Sequence, residues 1–455
     1  MLYRFIFPAI FVFSCMGCKK LTQVGEPVNT ITTQETFGSN ATANSAIVGI
    51  YRDFSNNNYG NGNTTFNLGM AADELHMFYG GPSPYETNTL SPAGDVSNFW
   101  ANAYYDIYLA NAAIEALPAS AAVAPSAKTQ LSGEAKFFRA LCHFYLANLF
   151  GDVPIVMTTA YRISDTAHRM STDAVYAQII SDLNDARNSL ASDYSISNGE
   201  KIRVNKWGAA ALLARVYLFK ANWEDAEAQA SAVIDSAGLY SLETDPNNVF
   251  LANSKEAILQ LQTANTFPYT TIEGALFIPY DSTSNPSYYI SDQLLGAFEP
   301  GDLRRTAWVD STDFSGAFYY YPFKYKIRNG AQGNILEYYM VLRLAEQFLI
   351  RAEARAHLSN LDGAIADLNS IRERAGLTDL PPSLTQTEVF AAVAQERRIE
   401  LFSELGHRWL DLKRIDSADA VLGAIKSTWK PTAKLFPIPA SELINDANLT
   451  QNPGY

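Results

Sequence analysis

Apolar residues recur at helical spacing along most of the chain. Over residues 99–117 they return every three or four positions and stop before Pro118, which predicts one helix. Over 133–150, Ala135, Phe138, Cys142, Tyr145 and Leu149 alternate steps of three and four and predict a second helix with one buried face. Gly151 and Pro154 end it. Further along, a unit repeats. Leu212-Leu213-Ala214-Arg215-Val216-Tyr217 leads into Asn222-Trp223-Glu224-Asp225-Ala226 and a helix to Val233. Ile350-Arg351-Ala352-Glu353-Ala354-Arg355, followed by Asn360-Leu361-Asp362-Gly363-Ala364 and a helix to Ile371, aligns with it without a gap. Small residues at a helix crossing, a short turn and an Ala-bearing second helix mark tetratricopeptide-type hairpins. Such pairs cannot bury their own faces and must stack on one another.

Two stretches break the rhythm. Residues 56–97 and 263–333 are rich in Gly, Asn, Pro and aromatics, and the second crowds Phe314, Phe318, Tyr319, Tyr320, Tyr321, Phe323 and Tyr325 together. Irregular segments of this length in a compact chain are usually functional. Short strands are expected at 257–261 and 319–327. The predicted fold class is all-α dominated, a tetratricopeptide-like helical hairpin scaffold with a loop-rich face carrying a few short β-strands.

Composition narrows the function. The 455 residues are 47% hydrophobic and 18% charged, enough apolar material for a large core. A formal charge of −13 argues against nucleic acid and against docking on anionic lipid, both of which need an excess of Lys and Arg. The three cysteines, Cys15, Cys18 and Cys142, are too few for a disulfide framework, and Cys142 in its helical pattern reads as a small buried hydrophobe.

The N-terminus points to export. Arg4 precedes a short apolar run, 5–13, broken by Pro8, too short to span a bilayer and suited to a secretory signal. It ends in Cys15-Met16-Gly17-Cys18, where small residues before a cysteine suit lipoprotein processing with acylation of the thiol. Two registers compete: Val12-Phe13-Ser14-Cys15 is locally the better lipobox, while Gly17-Cys18 is followed by Lys19-Lys20. Cleavage after residue 17 removes only Arg4, leaving 33 basic against 47 acidic side chains and a charge of −14. Residues 18–45 read as a tether. No later segment is long and apolar enough to cross a bilayer, so the body is expected to lie outside it.

Glu396, Glu400 and Glu404 fall four apart, the most enzyme-like spacing present, because two convergent carboxylates can serve acid–base chemistry. Arg397, Arg398, Arg408 and Arg414 lie alongside and would hold them ionised, which favours an ion-pair network. The five histidines, His76, His143, His168, His357 and His407, fit no metal motif and accompany no nucleophile elbow, and no phosphate loop is present. Asp73-Glu74 offers two of the several oxygens that calcium needs. No catalytic residue, cofactor or metal is assigned.

The aromatic loops carry more. Sugars present flat C–H faces that stack on Trp and Tyr, with amides and carboxylates reading the hydroxyls. Tyr59, Tyr79, Tyr85, Tyr288, Tyr289, Trp308, Tyr319 and Tyr320 are the candidate stacking residues, with Asn57, Asn61 and Asn63 as hydrogen-bonding neighbours. Trp100, Trp207, Trp223 and Trp409 lie in helical patterns and are assigned to the core; Trp429 is left open.

Four ordered blocks resemble the SusD/RagB family of outer-membrane nutrient-binding lipoproteins. They are Gly133-Glu134-Ala135-Lys136-Phe137-Phe138-Arg139-Ala140 with Leu149-Phe150-Gly151-Asp152-Val153-Pro154; Arg343-Leu344-Ala345-Glu346 with Arg351-Ala352-Glu353-Ala354; Glu396-Arg397-Arg398-Ile399-Glu400-Leu401 with Gly406-His407-Arg408-Trp409-Leu410-Asp411-Leu412-Lys413-Arg414; and Leu435-Phe436-Pro437-Ile438-Pro439 with Asn452-Pro453-Gly454-Tyr455. Cys18-Lys19-Lys20-Leu21 is also similar to the family's mature start and selects Cys18 as the lipidation site. The resemblance implies residues 1–17 as signal, 46–240 as an N-terminal helical region with the 56–97 insertion, and 241–455 as a C-terminal region with the 263–333 insertion, the two forming one unit. It implies a non-enzymatic lid on a SusC-like TonB-dependent transporter, lipid-anchored in the outer membrane and facing the exterior, with an oligosaccharide or polysaccharide as ligand. A peptide ligand, or a scaffold whose only ligand is the transporter, remains open, and a glycosidase would need two carboxylates free of arginine.

Overall fold

The computed structural model describes residues 32–56, 62–164, 166–264 and 266–455. The signal segment, Cys15, Cys18, Asn57, Tyr59 and Asn61 lie outside them. Helices pack in a continuous row. Ser97–Ala119 lies on Pro125–Phe150, which lies on Thr172–Ser189, then Lys206–Phe219, Trp223–Ile234, Leu344–His357, Leu361–Arg374 and Gln386–Glu400. Among the described residues the strands pair only in twos. This is the helical-hairpin scaffold with short strands that the periodicity predicts.

The repeat has a physical cause. In both hairpins the residue before the second helix is an Asn whose side chain accepts from a backbone N–H three residues on, Asn222 from Asp225 and Asn360 from Gly363. The residue ahead of each Asn is left-handed, Ala221 with φ +52° and Ser359 with φ +64°. One turn geometry therefore reverses the chain twice, and both second helices return onto their first.

Helix boundaries differ in several places, among them helix Asn40–Asn56, which starts inside the stretch read as a tether. Helix Pro125–Phe150 starts earlier than its apolar rhythm because Pro125 takes the first helical position, where no N–H is needed. Pro118 sits inside the last turn of Ser97–Ala119 rather than beyond it. The interval 56–97 is also less irregular than its composition predicts. It holds helix Gly62–Ala71, in which Thr64, Thr65, Phe66, Leu68, Gly69, Met70 and Ala71 are all buried, so no polar face marks its period.

The largest apolar cluster runs from Phe37 through Ile438, with two smaller ones within the repeated hairpins and helix Gln386–Glu400, and the sequence blocks close onto one another around it. Asn452 Nδ2 donates to the carbonyls of Phe150 and Phe436, tying the C-terminal block to the end of helix Pro125–Phe150. Gly151 there has φ +77°, and a Cβ at that position would stand 3.1 Å from Leu435 Cδ1.

Trp100 and Trp409 are buried as expected. Trp207 and Trp223 are only half-buried, at the first helical turns of Lys206–Phe219 and Trp223–Ile234, and pack against the edges of the apolar clusters. Trp429 is half-buried, with its Nε1 donating to Asp419.

Candidate functional site

Two short strand pairs build an aromatic surface. Strand Leu75–Met77 runs antiparallel to Tyr288–Ile290, which sets His76 opposite Tyr289. Hairpin Val309–Phe314 and Ala317–Pro322 closes through Ser315 and Gly316, both left-handed, the two-residue turn that matches strand twist. Thr312 Oγ1 donates to the carbonyls of Ser282 and Ser284 and fixes this hairpin against the loop ahead of Tyr288.

Side chains alternate across a strand, so each pair sends one set of rings outward. Tyr319 meets Tyr289 edge to face, with centroids 5.4 Å apart, and meets Phe78 at 5.1 Å. Phe78 in turn contacts Tyr79 at 5.1 Å and Phe314 at 5.6 Å. Tyr79 is 63% exposed and its hydroxyl donates to Asn285 Oδ1 at 2.6 Å. The edge-to-face contacts hold one ring against another while leaving faces free for a flat ligand.

Polar groups border this surface. His76 Nδ1 lies 2.6 Å from Glu86 Oε1, and the other Glu86 oxygen accepts from the Met77 N–H. Burial pushes the Glu86 carboxyl up, but these hydrogen bonds outweigh it and hold the group below its ordinary value. An ionised acceptor therefore stands beside Tyr289.

The sequence candidates divide by strand face. Tyr79, Tyr289 and Tyr319 come together. Tyr288, one residue from Tyr289, points the other way and stacks on Phe66 at 4.5 Å with planes 7° apart. Tyr320 likewise leaves the surface and lies under the Arg305 guanidinium at 4.9 Å. Tyr85 is buried between Phe99 and Phe436, its hydroxyl donating to the Asp95 carbonyl. Trp308 is 0% exposed, packed on Phe250 and Phe402 with Nε1 donating to the Pro246 carbonyl, so it offers no face to a ligand. Asn63 sits at the start of helix Gly62–Ala71 and is half-buried. Phe78, Phe314, His76 and Glu86 were not among the candidates. The only sequence signal for Phe78 is its place beside Tyr79.

The predicted ion-pair network exists with different partners. Glu396 and Glu400 bind Arg304, Glu400 also binds Arg343 and Arg374, and Glu404 binds Arg343 and Lys324, all of them buried. Burial would raise Glu400, yet the surrounding guanidiniums of Arg374, Arg343 and Arg304 hold it well below its ordinary value. The arginines adjacent in sequence turn to other faces. Arg397 binds Asp411, Arg398 and Arg408 bind Asp73, and Arg414 binds Glu353 and Asp411. Helix Gln386–Glu400 also ends before Glu404, which returns to the network through a left-handed turn at Ser403, Leu405 and Gly406. Arginine thus pairs with each of the three glutamates whose spacing suggested acid–base chemistry. Among the described residues, no group of three or more His, Cys, Asp or Glu side chains is placed to hold a metal ion.

Comparison with known proteins matches this architecture. Residues 303–455 match the SusD family, and residues 26–218 match a family described as starch-binding associating with outer membrane. The chain belongs to the SusD/RagB family. A SusD-like protein of Formosa agariphila is 27% identical, with 98% of each chain covered. The structure of a laminarin-binding SusD-like protein superimposes with a TM-score of 0.78 at 26% identity, over 92% of this chain and 100% of the other. Surface glycan-binding protein A from Bacteroides fluxus gives 0.75 at 25% identity, over 91% and 99%.

Proposed function

We propose that this chain is a glycan-binding lipoprotein of the cell surface that captures an oligosaccharide or polysaccharide and passes it, unaltered, to a SusC-like TonB-dependent transporter. The observation that carries the reading is the shared surface of Phe78, Tyr79, Tyr289 and Tyr319 on two paired strand sets. Pyranose rings present C–H faces to such rings, and Glu86 and Asn285 stand at its border to accept or donate to hydroxyls. Two relatives whose names specify laminarin or surface glycan support the ligand class. The arginine-locked carboxylates support binding without hydrolysis. Anchoring is assigned to an acylated Cys18 after removal of residues 1–17.

The test is a glycan screen with the chain lacking residues 1–18, run beside a peptide panel. Binding to one polysaccharide class with no cleaved product is expected. Binding to peptides alone would replace the ligand class, and failure to bind either would leave the transporter as the ligand and remove the glycan reading.

A further inference from the structure

A cavity of about 520 Å³, lined by none of the aromatic-surface residues, lies where the two repeated hairpins meet helices Gln386–Glu400 and His407–Arg414. Three rings from three elements line one side. The Trp223 indole lies flat on the His357 imidazole, centroids 3.7 Å apart and planes 4° apart, and His357 reaches Phe390 at 4.4 Å. Burial holds the imidazole below its ordinary value, so this side is neutral near pH 7.

Arginine lines the other side. Arg397 is 3% exposed and gives Nε and Nη2 to Asp411, leaving Nη1 with no hydrogen-bond partner among the described residues. Arg398 gives Nη2 to Asp73 and to the Gln293 carbonyl, leaving Nε unpartnered. Arg408 and Arg414 complete four guanidiniums, whose ion-pair partners are Asp73, Asp411 and Glu353. Glu74 also lines the cavity, and burial, reinforced by Asp73, raises its carboxyl to about 8 and keeps it protonated. Asp416 at the rim is a fourth carboxylate, 3.6 Å from Lys434, which Asp419 holds at 2.8 Å. Unpartnered buried donors are costly unless an acceptor completes them.

We propose that this cavity is a binding site for a small organic anion, one carboxylate carried on a flat apolar body. The body lies along the Trp223, His357 and Phe390 rings and the carboxylate meets the Arg397 and Arg398 side. The volume suits a ligand of that size, and a carboxylate, which only accepts, matches guanidinium N–H groups that only donate. The inference does not depend on glycan binding, which uses different residues.

Calorimetry of the chain lacking residues 1–18 tests it with two probes that share a ring system, indole-3-acetate and the neutral indole-3-ethanol. The acid is expected to saturate one site, and the alcohol to bind at least about tenfold more weakly. Trp223→Ala and, separately, His357→Ala, neither part of a buried ion pair, should each weaken the acid about tenfold with the melting temperature and glycan affinity kept. Arg398→Gln should weaken the acid and leave the alcohol unchanged. No saturable heat from the acid, equal affinity for both probes, or unaltered binding in the Trp223 and His357 variants would each overturn the proposal.

Discussion

Tyr319 and Phe78 meet edge to face with ring centroids 5.1 Å apart, one on the second strand of a hairpin and the other just past strand Leu75–Met77. The contact joins the two aromatic insertions into one surface. Each ring sets the orientation of the other, and so the tilt of any sugar that stacks there. Tyr319→Ala should lower glycan affinity about tenfold while changing the melting temperature little, because the ring lies at the surface and outside the buried core. Titration calorimetry beside a thermal melt reads both quantities.

Trp308 should behave in the opposite way. Fully buried, with its Nε1 engaged, it is a core residue, and Trp308→Ala should cost about 3–5 kcal/mol of stability. Urea unfolding measures this. Loss of glycan binding without loss of stability would contradict the placement.

The buried network around Glu400 should tolerate single truncation poorly. Arg343 binds Glu400 and Glu404 at once, so Arg343→Met leaves two buried carboxylates short of a partner and should cost about 3–5 kcal/mol. Unfolding curves for this variant, set beside Asn360→Ala, provide a scale. Loss of the Asn360 cap at the repeated turn should cost only about 1 kcal/mol.

These contrasts mark what sequence could and could not convey. The hairpins were legible because Asn222 and Asn360 act within their own turns, so the cause lies in adjacent residues. Helix Gly62–Ala71 was not, since burial on all sides erases the polar face that reveals a period. Tyr288 and Tyr289 have the same neighbours in sequence, and only the register against Leu75–Met77 sends one to Phe66 and the other to the surface. Trp308 lies in an aromatic-rich loop by composition, yet Asp302 caps the short helix Leu303–Trp308 and delivers the indole into the core. The Glu396–Glu404 spacing announced a network, but its arginines come from positions 304, 343 and 374, which no local motif connects.

Glu74 gives a pH prediction. Its carboxyl is raised to about 8 in the fold, chiefly by burial, against 4.5 in the unfolded chain. A raised acid contributes stability that is fully present below pH 4.5 and is lost as pH rises to about 8. Glu74→Gln, which keeps an acceptor for the Ser403 N–H, should therefore gain in melting temperature relative to the parent across that interval and run parallel above it. Parallel curves throughout would contradict the assignment.

The central claim rests on the aromatic surface. The most direct measurement compares the affinity of the parent chain for the polysaccharide it selects with that of a variant combining Tyr79→Ala, Tyr289→Ala and Tyr319→Ala, with circular dichroism and thermal melts on both. The account predicts that binding is lost while the helical fold and its melting temperature are retained. Binding that survives removal of all three rings would contradict it.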